Sequence, residues 1–153
     1  MKKLFEYNWQ VREDWFDWCK QFSTEQLLEN RTGGFGNILH TLLHIVVVEY
    51  DWIQDLTGGK IADIIPENFK TIEDVIDLHN SWHGEIAQFV YGWNDEFAKR
   101  TLILDDQPNT FNYEEVMYHI IAHEIHHIGQ LSVWARELGV APITANLIRR
   151  GLY

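Results

Sequence analysis

Between Met117 and Gln130 the chain reads Met-Tyr-His-Ile-Ile-Ala-His-Glu-Ile-His-His-Ile-Gly-Gln, which gathers half of its histidines into one short stretch. On an α-helix His119, His123 and His127 are each four apart and stack along one stripe. Neutral imidazole is a common ligand for zinc, nickel and iron. A pair at i, i+4 directs two ring nitrogens at one ion. A chain with this stripe needs a helical scaffold that brings a further ligand from a neighbouring helix.

The rest of the sequence supplies such a scaffold. Leu4 to Phe22 spaces Leu4, Phe5, Trp9, Trp15, Phe16 and Cys19 at largely helical intervals. Ser23-Thr-Glu-Gln26 has the form of a capping box and predicts a short helical turn. After the break at Thr32-Gly-Gly-Phe-Gly36, a second long helix is expected over Asn37 to Leu56, closed by Thr57-Gly58-Gly59. A third is expected from Thr71, a capping residue followed by acids that suit the helix dipole, to Trp93. The polar stretch from Asn94 to Thr110 contains Pro108 and leaves room for an extended piece at Arg100 to Leu104. Asn112 to Glu115 is expected to cap a fourth helix reaching Leu138, stopped by Gly139 and Pro142. The tail from Thr144 to Tyr153 is expected to add one helical turn. Four such helices in a single domain over 1–153 make an all-α four-helix bundle, a fold that builds metal sites from side chains converging on its core.

Two helices offer the third imidazole. His40 and His44 lie on the second, and His79 and His83 on the third. His44 sits in Leu42-Leu-His-Ile-Val46, where an unpartnered polar ring is costly. It is the stronger candidate, with His40 nearer the rim. His79 and His83 lie in the polar run Asp77-Leu-His-Asn-Ser-Trp-His-Gly-Glu85 and read as solvated surface residues. Three histidines leave positions open for water or substrate. Gln130, one turn beyond His127, and Glu49, about one turn beyond His44, are placed to hydrogen-bond ligand rings or bound water. His126 is rotated away from His123 and His127, and with His119 is a candidate for substrate contact or proton transfer.

Charge narrows the function classes. A net charge of -11 argues against general nucleic-acid binding and against docking on anionic membranes. Cys19 is the one cysteine, so no intramolecular disulfide is possible. With no apolar stretch long enough for a signal peptide or a membrane span, a soluble cytoplasmic protein is expected.

Two rival motifs are present in part. His123-Glu-Ile-His-His127 matches H-E-x-x-H, in which the glutamate serves a zinc protease as general base. Its extended form is absent, since positions 130 and 133 are Gln and Val. A di-iron carboxylate bundle needs two Glu-x-x-His motifs, and Glu124-Ile-His-His127 is the one such motif in the chain.

Leu42-Leu-His44-Ile with Glu49 and Trp52, followed by His119-Ile-Ile-Ala-His123-Glu-Ile-His126-His127-Ile-Gly-Gln130, resembles the DinB-like (DinB/YfiT) superfamily of metal-dependent hydrolases and thiol S-transferases. The resemblance implies a four-helix bundle with a long crossover, a divalent metal (zinc, nickel or iron) on His44, His123 and His127, and a homodimer. It also implies a small-molecule substrate, with a low-molecular-weight thiol such as bacillithiol or mycothiol as a cofactor in some members. Ile128 departs from the pattern: the family often has Arg there, where a cation could hold an anionic thiol. The expected activity is therefore metal-assisted thiol transfer, or a related hydrolysis or isomerisation, with Glu49, Gln130 and His126 as catalytic candidates. The alternative is a non-catalytic metal-binding or stress-associated interaction protein. A pocket open over the metal would favour the enzyme.

Overall fold

The computed structural model describes residues 1–104 and 110–153; Pro108 falls outside them. The long helices are α1 (Lys2–Cys19), α3 (Ile38–Thr57), α4 (Ile72–Gly92) and α6 (Tyr113–Glu137). Between them lie two single-turn helices, α2 (Thr24–Leu27) and α5 (Asp95–Ala98), and a small antiparallel hairpin of β1 (Thr101–Ile103) and β2 (Thr110–Asn112). The architecture is the expected all-α bundle.

Local chemistry sets most boundaries. Ser23 and Thr71 each accept a backbone N–H from the third helical residue, whose side chain answers back, so both capping boxes are complete. Asn37 caps α3 through the His40 amide, and Gly58 ends it with a left-handed φ of 75°. Asn112, by contrast, makes no side-chain cap; α6 grows directly out of β2, with Glu114 and Glu115 in its first turn.

α1 packs against α4 and α6, and α3 packs against the same two helices, so α1 and α3 occupy opposite corners. The core falls into two clusters. One holds Trp15, Leu42, Ile45, Val75, Ile128 and Leu131; the other holds Phe5, Ile53, Ile86, Val116 and Ile120. The order in which each helix meets them fixes its direction: α1 and α6 run one way, α3 and α4 the other. The segment 58–71 must therefore return along the bundle, which it can do at ~3.3 Å per extended residue against the ~30 Å length of the 20-residue α3. This is the long crossover, and its Ile64 and Phe69 pack on the first cluster.

Each long helix carries a buried polar residue where the two clusters meet: Arg12, Glu49, His79 and Glu124. The guanidinium of Arg12, 0% exposed, donates from Nε and Nη2 to both oxygens of Glu124 (2.9 and 2.6 Å) and from Nη1 to Glu49 Oε2 (2.5 Å). Its Nη1 also lies 3.3 Å from His79 Nδ1. Trp9 Nε1 donates to the other oxygen of Glu49 at 2.8 Å. Burial works against the charge on Arg12, but Glu124 and Glu49 outweigh it and hold its pKa above the ordinary value.

Two expectations are corrected here. His79 is not a surface residue; it is 3% exposed and faces Arg12. His83 is half-buried and meets the Trp9 ring edge-on at 4.7 Å. The tail after Thr144 forms turns rather than a helix. It is tied to α1 by Tyr7 Oη donating to Ala145 O, by the Arg150–Asp14 ion pair and by buried Leu152.

Candidate metal centre

α6 brings His123 and His127 one turn apart, and α3 brings His44 opposite them. His123 Nε2 lies 2.9 Å from His44 Nε2 and 3.1 Å from His127 Nε2. Each of the three histidines offers a ring nitrogen within 4.8 Å of the others. A tetrahedral ion with metal–nitrogen bonds of ~2.0–2.1 Å holds its ligand nitrogens ~3.3 Å apart, so the trio has the right spacing to hold one metal ion.

The protonation pattern also fits. His127 Nδ1 is 2.7 Å from Gln130 Oε1. An amide oxygen only accepts, so His127 carries its proton on Nδ1 and turns a lone pair on Nε2 toward the other two rings. Gln130 Nε2 in turn donates to His126 Nε2 at 3.1 Å. Burial pulls the pKa of His123 down to about 3 and that of His44 to about 4, and neighbouring histidines add to both shifts. The rings are therefore neutral near pH 7, as metal ligation requires.

The loop between α2 and α3 closes one side. Phe35 stacks on the His44 ring with centroids 3.7 Å apart, yet remains 50% exposed. Its placement depends on Gly34, whose φ is +51° and whose α-carbon sits so close to α6 that an added Cβ would lie 2.7 Å from the Trp134 ring and 2.9 Å from Gln130 Oε1. Gly34→Ala is expected to displace Gln130 as well as the loop. A cavity of about 100 Å³ opens beside Phe35, lined by His40, His44, Ile64 and Pro66 among others. The His44 ring thus has a solvent-connected face.

Other predicted residues are placed elsewhere. Glu49 does not reach a ligand ring, because Trp9 and Arg12 engage both of its oxygens. Glu124, the glutamate of H-E-x-x-H, is buried at the next helical position from His123, and Arg12 binds both of its oxygens. It cannot act as a base toward the histidine side of α6, which removes the protease reading. A cation does sit among the bundle's carboxylates, but it is the Arg12 guanidinium, which disposes of the di-iron reading. Ile128 is buried in the core, so this position presents nothing to a substrate. In the tail, where the sequence places no candidate site residue, Arg150 donates to Asp14 and to the Thr144 carbonyl. His40 Nδ1 pairs with Asn37 Nδ2 on the rim, and His119 stands 5.9 Å from His123 between ring centroids.

The depressed histidine pKa values predict how the metal-free protein responds to acid. Burial also pulls His79 down to about 3. All three groups lie below the usual histidine pKa of about 6.5, so the unfolded chain binds more protons than the folded one between that value and about 3 to 4. Stability is full above pH 6.5 and declines as the pH falls through this window. Urea titrations from pH 7.5 to 4.5 are expected to show the midpoint falling monotonically; a flat profile above pH 5 would contradict the assignment.

The profile of the DinB family matches residues 1–150. A Bacillus subtilis (strain 168) protein named "Uncharacterized protein YizA" is 45% identical over 153 residues, covering 99% of this chain and 96% of its own. "Protein DinB" of the same organism is 22% identical over 149 residues, covering 91% of this chain and 86% of its own.

Proposed function

The chain belongs to the DinB family, and on that footing we propose that it is a metal-dependent enzyme of the thiol S-transferase or hydrolase type, with one divalent ion on His44, His123 and His127. The observation that carries this reading is the convergence of three imidazole Nε2 atoms beside a cavity lined by one of the three rings. Three ligands and an accessible face are the pattern of a catalytic site rather than a closed structural one. A divalent ion held there would supply Lewis acidity to a carbonyl or to a thiol or water. Gln130 fixes the tautomer of His127 and links it to His126, whose ring is exposed at the surface. Phe35 shields one flank of the His44 ring from water.

The metal is zinc, nickel or iron, which three imidazoles suit alike. A small-molecule substrate and a cytoplasmic setting belong to this reading. Among the described residues no helix is long and apolar enough to cross a membrane. A homodimer belongs to it as well: Tyr118, Ile125 and Val133 form an exposed apolar stripe along α6, interleaved with Ala122 and Gly129. Sedimentation of the wild type beside Ile125→Glu tests the dimer, which the variant is expected to split.

The catalytic reading is tested by turnover. The zinc-, nickel- and iron-loaded protein is assayed for thiol transfer from bacillithiol and for ester and amide hydrolysis, beside His123→Ala. Activity with at least one metal, absent from the variant, is expected; a fully loaded protein inert in every assay would favour the non-catalytic metal-binding alternative. Gln130→Leu is expected to weaken metal binding by roughly 10–100-fold, the usual cost of losing a ligand's supporting hydrogen bond. Competition with a chelating dye measures it, and unchanged affinity would show that Gln130 does not orient His127.

A further inference from the structure

A second cavity, of about 180 Å³, lies between α3, β2 and α6 and is lined by Trp52, Phe111, Glu115, Val116 and His119. An engineered cavity of about 150 Å³ accepts benzene, so this one has room for a small organic group but not for a peptide. Its rings are arranged as walls. Trp52 stands nearly perpendicular to Phe111 (78°, centroids 6.2 Å apart) and to His119 (76°, 5.6 Å). Buried Val116 forms the floor, and Glu115 supplies a carboxylate. Neither Lys nor Arg is among the described lining residues. Aromatic faces and a carboxylate around a small volume attract an organic cation, through the ring quadrupoles and by direct charge. The net charge of -11 biases the approaching ligand the same way.

The cavity neighbours the metal centre along α6 through a single side chain. His119 is one turn from His123, so the same imidazole walls the cavity and neighbours a ligand ring. We propose that this cavity is the subsite for a cationic alkylammonium group on the substrate, whose other end reaches the metal centre. The link to the metal rests on the function proposed above; recognition of the cation does not.

The probes are cyclohexylammonium, its uncharged counterpart cyclohexanol and the anion cyclohexanecarboxylate. Each is titrated into zinc-loaded and metal-free protein while the indole N–H resonance of Trp52 is followed by nuclear magnetic resonance. Cyclohexylammonium is expected to shift that resonance and to bind about tenfold more tightly than cyclohexanol, with the carboxylate weakest. Glu115 is exposed, so Glu115→Gln folds normally and is expected to remove most of the preference for the cation. Trp52→Leu is expected to weaken all three probes. Equal binding of cyclohexylammonium and cyclohexanol, a preference unaltered by Glu115→Gln, or no response at Trp52 would each overturn the proposal. Cation binding that persists in protein unable to take up metal would uphold the subsite and count against the metal reading alone.

Discussion

Replacing Arg12 by methionine is expected to cost about 3–5 kcal/mol, the typical penalty for removing one partner of a buried ion pair. The substitution fills much of the same volume, so the loss is electrostatic rather than a cavity effect. It strands Glu49 and Glu124, both fully buried, each of which takes a charged hydrogen bond from Arg12. Against a typical total stability of about 5–15 kcal/mol this is a large fraction, and in a chain of this size it amounts to a fall of about 10 °C in Tm. Adding Glu49→Gln and Glu124→Met is expected to return part of the loss, because a neutral core does not need the cation. The glutamine keeps an acceptor for Trp9 Nε1. Urea denaturation of the single and triple variants makes the comparison. A loss below about 1 kcal/mol for Arg12→Met would show that the three charges are not coupled as the structure has them.

The network matters for the site because it acts on the helices that carry the ligands. Glu124 follows His123 on α6, and Glu49 lies five residues beyond His44 on α3. The fork on Glu124 fixes the rotation of α6 about its axis, and with it the direction in which His123 and His127 point.

The second large effect falls on the ligands themselves. His44→Ala, His123→Ala and His127→Ala are each expected to weaken metal binding by more than roughly 100-fold, beyond the 10–100-fold that loss of a supporting hydrogen bond costs. His79→Ala and His126→Ala are expected to retain the metal. His79 faces Arg12 rather than the trio, and His126 meets His127 edge-on and turns its Nε2 to Gln130. Full retention by His44→Ala would show that α3 contributes no ligand.

Much of this was legible in the sequence because it is local. Helix ends followed from Ser23, Asn37, Gly58 and Thr71, whose capping partners lie within four residues. The His44, His123 and His127 trio followed from the i, i+4 pair together with a histidine set in an apolar run. The buried network was missed because its partners are distant in sequence, although the signals were present. Arg12 falls on the same helical stripe as Phe5, Trp9, Trp15 and Cys19, where an unpaired cation is untenable. His79 was misjudged from its immediate neighbours Asp77 and Asn80. The residues that share its helical face are Val75, Trp82 and Ile86. β1 falls within the extended piece expected at Arg100 to Leu104, whereas its three-residue partner β2 is too short to leave a period in the sequence, and the tail is held by contacts to α1 rather than by any helical tendency of its own.

The most direct test of the metal centre is elemental analysis by plasma mass spectrometry of protein purified without chelator, wild type beside His123→Ala. The account predicts about one divalent transition metal per chain in the wild type, as expected for a single three-histidine site, and almost none in the variant. Wild-type protein that carries no metal and takes up neither zinc, nickel nor iron on addition would contradict it.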